Sequence, residues 1–218
     1  KTVGETWSDP AIGQIETASG RFVVLTGSGF FKWSSQEAAN RGRIVAGTTF
    51  YVLDAQTGDV LDSRDVGHDN RGENVDNCAA ANDCRRLKNA LQADPVATGP
   101  ADQRFITKAY IGDLDGRVWR FDIGLDAAGL PKIKQLVNLY TVDNTVGPAN
   151  EHPIFASMAT VNVGATQQYL FLGTGSDLLP QNSVNTQYAL LVVLDQGTTG
   201  TRTAMIKLEA AKEGSGGR

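Results

Sequence analysis

The chain has 218 residues and a mass of 23.2 kDa, enough for one large domain or two small ones. Hydrophobic residues make up 41% and charged residues 20%, the proportions of a folded globular protein and not of a disordered tail. Twenty basic residues against 24 acidic ones give a net charge of −4 and a pI near 5.2. That sign excludes the basic face needed for non-specific nucleic-acid binding, and also a polybasic membrane anchor. No apolar run approaches a transmembrane length; the longest, Tyr188–Leu194 (YALLVVL), is strand-sized.

In chain order the expected elements are nearly all strands: short runs rich in Val, Ile, Thr, Phe and Tyr, bounded by Gly, Asp, Asn or Pro. Ala11–Ile15, Arg21–Thr26 and Thr48–Leu53 come first, the last running through DAQTG into a return strand at Val60–Leu61. Next come Asp94–Ala97, Phe105–Ile111, Arg117–Ile123 and Ile133–Val142, then Ile154–Val163, Gln168–Leu172, Tyr188–Leu194 and Thr203–Leu208. Three units align on landmarks. WSDPAIGQI, QADPVATG and IFASMATV open a unit. VVLTGSGF, AYIGDLDG and LFLGTGSD end its second strand in glycine, and FYVLDAQTG, VWRFDIGLD and LVVLDQGTT end its third strand in Asp and a turn.

A repeat of four antiparallel strands is the pattern of β-propeller blades, with a generic β-sandwich as the alternative. The expected fold is therefore all-β. Its organisation is a first blade over about 7–67, a loop and helix insert over 68–92 and a second blade over about 93–142. A connector over 143–153, a third blade over about 154–210 and a frayed tail over 211–218 complete it. Three blades cannot close a ring, since closure takes four to eight, so the chain is expected to be part of a larger propeller, and the blade number expected for it is seven. In the insert, Leu87 and Leu91 sit one helical turn apart, which predicts a short helix over Arg85–Leu91.

Catalytic signals are sparse. There are two histidines, His68 and His152, and two cysteines, Cys78 and Cys84; no HExxH, CxxC, GxSxG, GxGxxG or Walker loop occurs. The expectation is that the chain is not an enzyme. Cys78 and Cys84, five residues apart in a polar loop, either close a small disulfide ring worth about 2 kcal/mol or are free thiols in a reducing compartment; the disulfide is the expectation. Trp7, Trp33, Trp119 and Phe121 are read as filling between sheets. Asp54, Asp113 and Asp122 are read as strand-end carboxylates bonded to turn amides. His68 beside Asp69 is read as a solvated pair. The acids Asp69, Glu73, Asp76 and Asp83 lack the spacing of a cation loop and read as solvated.

Several segments, in this order, resemble the carboxy-terminal β-propeller domain of the PilY family of type IV pilus proteins. They are GETWSDPAIGQI with GRFVVLTGSGF, GTTFYVLDAQTGDVL, AYIGDLDGRVWRFDI, and HPIFASMATV with YLFLGTGSDLL. The sharpest is YxGDLxGxxWRFD, carried here by Gly112, Asp113, Leu114, Gly116, Trp119, Arg120, Phe121 and Asp122. The resemblance covers essentially the whole chain. It implies a surface-exposed protein of the pilus tip, exported through the periplasm, that works with minor pilins in pilus assembly, retraction control (hence twitching motility) and adhesion to a host or abiotic surface. The remaining blades of the same protein would be its other partner. The family also carries a calcium loop of the form DxDxDxxxD before the YxGDL strand. Here those four positions fall on Gly99, Ala101, Gln103 and Thr107, none a carboxylate, and Asp102 is one residue out of step, so no metal and no cofactor are expected. Two other readings compete: a fragment of a quinone-dependent (PQQ) dehydrogenase propeller, suggested by FYVLDAQTG, and a periplasmic scaffold propeller.

Overall fold

The structure is a computed structural model. It describes residues 3, 6, 8–17, 20–29, 47–66, 90–114, 116–141, 153–163, 167–175, 189–197 and 203–209, with Ala189 and 203–209 as backbone. Cys78, Cys84, Trp7, Trp33, His68, His152 and the acids of the 68–83 stretch lie outside the described residues. So do residues 85–89 of the expected short helix.

Among the described residues there is no helix, and twelve strands form three four-stranded sheets. The first sheet is β1 (Ala11–Ile15), β2 (Arg21–Gly27), β3 (Thr49–Asp54) and β4 (Val60–Asp65). The second is β5 (Val96–Thr98), β6 (Lys108–Gly112), β7 (Arg117–Leu125) and β8 (Pro131–Thr141). The third is β9 (Ala159–Val163), β10 (Gln167–Gly173), β11 (Ala189–Asp195) and β12 (Thr203–Glu209). Each is an antiparallel meander in which every strand pairs with its chain neighbour. Stacked face to face, such sheets are the blades of a β-propeller, and the described residues form three of them.

The sheets stack because the central strands are apolar on both sides where a neighbour lies on each. On β6 and β7, Ala109, Ile111, Trp119, Phe121 and Ile123 face the first sheet and pack with Val23, Leu25, Phe50 and Val52. Phe50 and Phe121 stack with ring centroids 4.0 Å apart and planes 12° from parallel. The opposite face of the second sheet, with Tyr110 and Val118, packs with Leu170, Leu172, Leu191 and Val193 of the third. The middle sheet is therefore covered on both sides, with Trp119, Tyr110, Phe121 and Ile111 at 0% exposure and Arg120 at 1%.

One constraint recurs at the end of every second strand. Gly27, Gly112 and Gly173 hold equivalent places, and the segment leading into the next sheet threads past the first two. A Cβ on Gly27 would lie 2.2 Å from the Leu91 carbonyl oxygen, and one on Gly112 would lie 2.2 Å from Ile154 Cγ2. The leaders are held by backbone bonds to the sheets on both sides. Gly29 N donates to Leu91 O (3.1 Å) and Leu114 N to Ala90 O (3.3 Å); Ile154 N donates to Asp113 O (2.9 Å) and Gly175 N to Pro153 O (2.7 Å). Leu91, expected at the end of a helix, is instead non-helical and fully buried, because its side chain and carbonyl are used on Gly27 and Gly29. Similarly, Ile154, expected as the start of a strand, forms an isolated bridge with Gly175, and the strand proper begins at Ala159.

Trp119 is fully buried between the first two sheets, and removing its side chain leaves a large cavity in that seam. Trp119→Ala should lower the free energy of unfolding by about 3–5 kcal/mol in urea titrations, against less than about 0.5 kcal/mol for an exposed control such as Gln135→Ala.

Candidate functional site

Two small structures are built from the segment Tyr110–Asp122. The first is the β6–β7 turn. Asp113 N donates to Arg117 O (3.0 Å) and Gly116 N to Asp113 O (3.2 Å), with Gly116 at φ 75°, the left-handed geometry that a three-residue hairpin loop demands. The Asp113 carboxylate locks this turn to the core. One oxygen accepts from Arg117 N (2.9 Å), the other from the indole Nε1 of Trp119 (2.8 Å). Asp113 and Trp119 are both fully buried, so each supplies the partner the other needs.

The second structure is a charge cluster in the seam between the second and third sheets. Arg120 projects from β7 toward the third sheet, where Asp195, at the end of β11, meets it with Nη1 to Oδ1 at 2.7 Å. Lys108 Nζ approaches the other Asp195 oxygen at 3.1 Å. The Tyr110 hydroxyl donates to that oxygen at 2.6 Å and also bonds the side chain of Gln168. Gly197 N donates to Oδ1 at 2.8 Å. Arg120 and Asp195 are at 1% and 0% exposure, so this is a desolvated ion pair; Asp195 takes further donors from Lys108, Tyr110 and Gly197, while Arg120 Nε makes no hydrogen bond of good geometry. Arg120 Nε also lies 3.0 Å from Asp122, whose side chain is only part buried.

The electrostatics follow from these contacts. Burial opposes the Asp195 charge. The Tyr110 hydroxyl, the Gly197 amide, Arg120 and Lys108 together outweigh it and hold the carboxyl below its ordinary range. Asp122 goes the other way: burial raises it, more than Arg120 and Lys108 can offset. Tyr110 is pushed far up by burial and by the negative charge of Asp195, so it stays a phenol donor. Asp195 and the Tyr110 hydroxyl are spent on seam contacts, and the cluster sits where the two sheets close on each other.

Asp122, expected at a strand end bonded to turn amides, is not there. β7 continues to Leu125 past a register shift at Asp122/Ile123, and Asp122 pairs with Arg120. The turn that follows is made by Asp126, which accepts from Ala128 N and Leu130 N. Asp54 and Asp113 do bond turn amides; Asp54 accepts from Gln56 N (2.7 Å) and Thr57 N (3.0 Å) and from Arg21 Nε (2.7 Å). Those amides first, with Arg21 adding, hold the Asp54 carboxyl low against burial. Leu114, Gly112 and Phe121 serve the leader contact, the glycine slot and the apolar seam described above.

The loop Gly99–Thr107 does not fit a calcium ion. Its turn is closed by Gln103 N donating to Pro100 O (3.0 Å), and Thr107 N donates to Thr98 O (2.9 Å). The chain folds so tightly on itself that a Cβ at Gly99 would lie 1.9 Å from Phe105 O. The Gly99 carbonyl accepts from Asn162 Nδ2 (3.1 Å), tying the loop to the third sheet. Asp102 and the side chains at Ala101 and Gln103 are exposed, and no carboxylate turns inward. Among the described residues no group of three or more His, Cys, Asp or Glu side chains converges on one point. Nor is any described helix long and apolar enough to cross a membrane, which leaves β-barrel insertion unaddressed.

Sequence reasoning passed over Lys108, Tyr110, Gln168 and Asp195 as members of one cluster. The available signal was Arg120 itself, a charge in the middle of the apolar run VWRF on a strand buried on both faces, which requires an acid from the facing sheet.

No family model matches the chain, and no curated protein does. A solved structure, the C-terminal domain of Pseudomonas aeruginosa PilY1, superposes on 91% of this chain with a TM-score of 0.60 and 18% sequence identity. The chain covers 39% of the length of that structure's chain. At that identity the likeness is one of fold, and it agrees with stacked four-stranded sheets.

The cluster sets the acid stability of the seam. A carboxyl held low in the fold contributes stability above its unfolded value of 3.8, and that contribution disappears as pH falls through the lower folded value. Asp122, held high, has the opposite sign: it favours the fold at low pH and ceases to as pH rises through its folded value. Asp195→Asn should therefore cost about 3–5 kcal/mol at pH 7, because Arg120 is left buried without its main partner, and should flatten the loss of stability below about pH 4. The double variant Arg120→Met with Asp195→Leu should recover at least half of that cost. Urea titrations from pH 3 to pH 8 read both effects; a cost below about 1 kcal/mol at pH 7 for the single variant would contradict the geometry.

Proposed function

We propose that the chain is a non-catalytic stretch of β-propeller that serves at the tip of type IV pili, outside the cell. There it supports pilus assembly, retraction control and surface adhesion through the loops at its sheet ends. The observation that carries this reading is the likeness in fold to the PilY1 C-terminal domain over 91% of the chain. The YIGDL and WRFD segments, on which the family resemblance is sharpest, support it. Minor pilins are the proposed partners, with the remaining blades of a larger propeller.

The use of the side chains supports a binding module over an enzyme. Asp113, Trp119, Arg120 and Asp195 are committed to turn and seam, in pairs that leave no nucleophile beside a general base. The FYVLDAQTG segment, which suggests a quinone enzyme, spends Asp54 on its own turn and on Arg21. An acidic chain of net charge −4 also suits a role in protein–protein contact better than nucleic-acid binding.

Immobilised chain should retain minor pilins from a solubilised pilus fraction and not outer-membrane assembly factors. Retention of the assembly factors alone would favour the scaffold reading, and reduction of an artificial electron acceptor with a bound quinone would favour the dehydrogenase. Calorimetric titration with calcium at micromolar concentration should release no heat, and Asp102→Asn should leave the thermal midpoint unchanged with or without the ion.

A further inference from the structure

Strand pairing lets the two filled seams be compared with the outer side of the third sheet. Leu25, Tyr110 and Phe171 occupy one place on the second strands; Phe50, Val118 and Leu190 occupy one place on the third strands, opposite the slot glycines Gly27, Gly112 and Gly173. On the first two sheets all four of these large side chains are at 0% exposure, because the following sheet covers them. On the third, Phe171 is 38% and Leu190 49% exposed. The slots differ in the same way. Gly27 is filled by Leu91 and Gly112 by Ile154, whereas among the described residues no atom lies within 4 Å of a Cβ placed on Gly173.

We propose that the outer face of the third sheet seats a fourth four-stranded antiparallel sheet of stated chemistry. Its facing side is apolar at the centre, it brings no acid in the place of Asp195, and its leader lays a large aliphatic side chain on Gly173. The inference rests on the larger propeller of the proposed function and not on its pilus role, so a failure to retain minor pilins would leave it standing. The chemistry comes from comparing the seams. In the polar seam, Tyr110 and Arg120 receive Asp195. In the apolar seam the same two places hold Leu25 and Val52. The third sheet presents Phe171 and Val192 there, so an acid arriving in the manner of Asp195 would find neither a hydroxyl nor a cation. Phe171 with Leu190 also exchanges the large and small partners of Leu25 with Phe50, which keeps the combined volume and calls for the same kind of facing sheet.

A second copy of this chain does not meet these terms. Its first sheet would have to bring its own leader, and the residue matching Leu91 there, four places before Pro10 as Leu91 is four before Pro95, is Thr6, a polar residue. The second sheet does meet them, since it already covers an apolar face with Ile111, Trp119 and Phe121 behind Leu91.

The test extends the full chain at its C-terminus, through a glycine–serine linker, with a second copy of residues 90–141. Hydroxyl-radical footprinting of Phe171 and Leu190 should fall several-fold relative to the 218-residue chain, and Gly173→Val should restore it. In the unextended chain, Gly173→Val should leave the thermal midpoint within about 1 °C, while Gly112→Val lowers it by about 5 °C or more. If the appended copy fails to fold, this glycine pair decides alone. An equal loss for both glycine variants would mean that the slot is already filled, and would overturn the proposal. So would undiminished labelling of Phe171 in an extended chain whose added tryptophan is buried, or protection of Phe171 by concentration-dependent dimerisation of the unextended chain.

Discussion

The stack of sheets depends on the close approach of each leader segment to a glycine at the end of the preceding sheet's second strand. The approach places the backbone of residues 90–91 and 153–154 where the carbonyls of Ala90, Leu91 and Pro153 and the amides of Leu91 and Ile154 bond to the sheets on both sides. A side chain at Gly27 or Gly112 would have to occupy the space of the leader itself. The order of strands along the chain follows. A meander finishes at its outer strand, the chain returns, and the leader pins the next sheet face to face on the last before its first strand is laid down.

With that frame fixed, the two filled seams solve the same packing problem in different ways. The first has an apolar centre, Phe50 on Phe121, with Asp62 accepting from Ile133 N across it at 2.8 Å. The second carries Arg120 and Asp195 at 1% and 0% exposure, an arrangement whose desolvation cost is offset by Lys108, Tyr110 and the Gly197 amide. A buried ion pair contributes little net stability relative to an apolar isostere. Its presence distinguishes the two seams: a sheet without an acid at the place of Asp195 would leave Arg120 buried without its main partner.

Much of this was legible in the residues. The strand order, the four-strand period and the turn roles of Asp54 and Asp113 follow from alternation and from Gly and Asp placement, all local signals. The glycines of TGSGF, YIGDL and GTGSD were visible as strand ends, but their purpose was not, since it depends on a leader far away in sequence. Leu91 carried a misleading signal: its spacing from Leu87 fits a helical turn, and only the slot on Gly27 shows why it is non-helical. Asp122 was misread because a bulge moves the turn four residues on, to Asp126, a shift that pairing with β8 decides. The Arg120–Asp195 pair spans 75 residues of sequence and becomes visible only once the sheets are stacked.

Native-state hydrogen exchange tests the central claim most directly, that leaders seated on glycines hold the sheets together. The amides of Gly29, Leu91 and Ile154 are the ones engaged by the leaders, and those of Ile111 and Val193 lie in the strands they join. If the account is right, all five exchange only through global unfolding, with the same free energy of opening and the same dependence on urea. Exchange of the leader amides by local opening, several kcal/mol below the strand amides and independent of urea, would show that the leaders follow the stack and do not hold it.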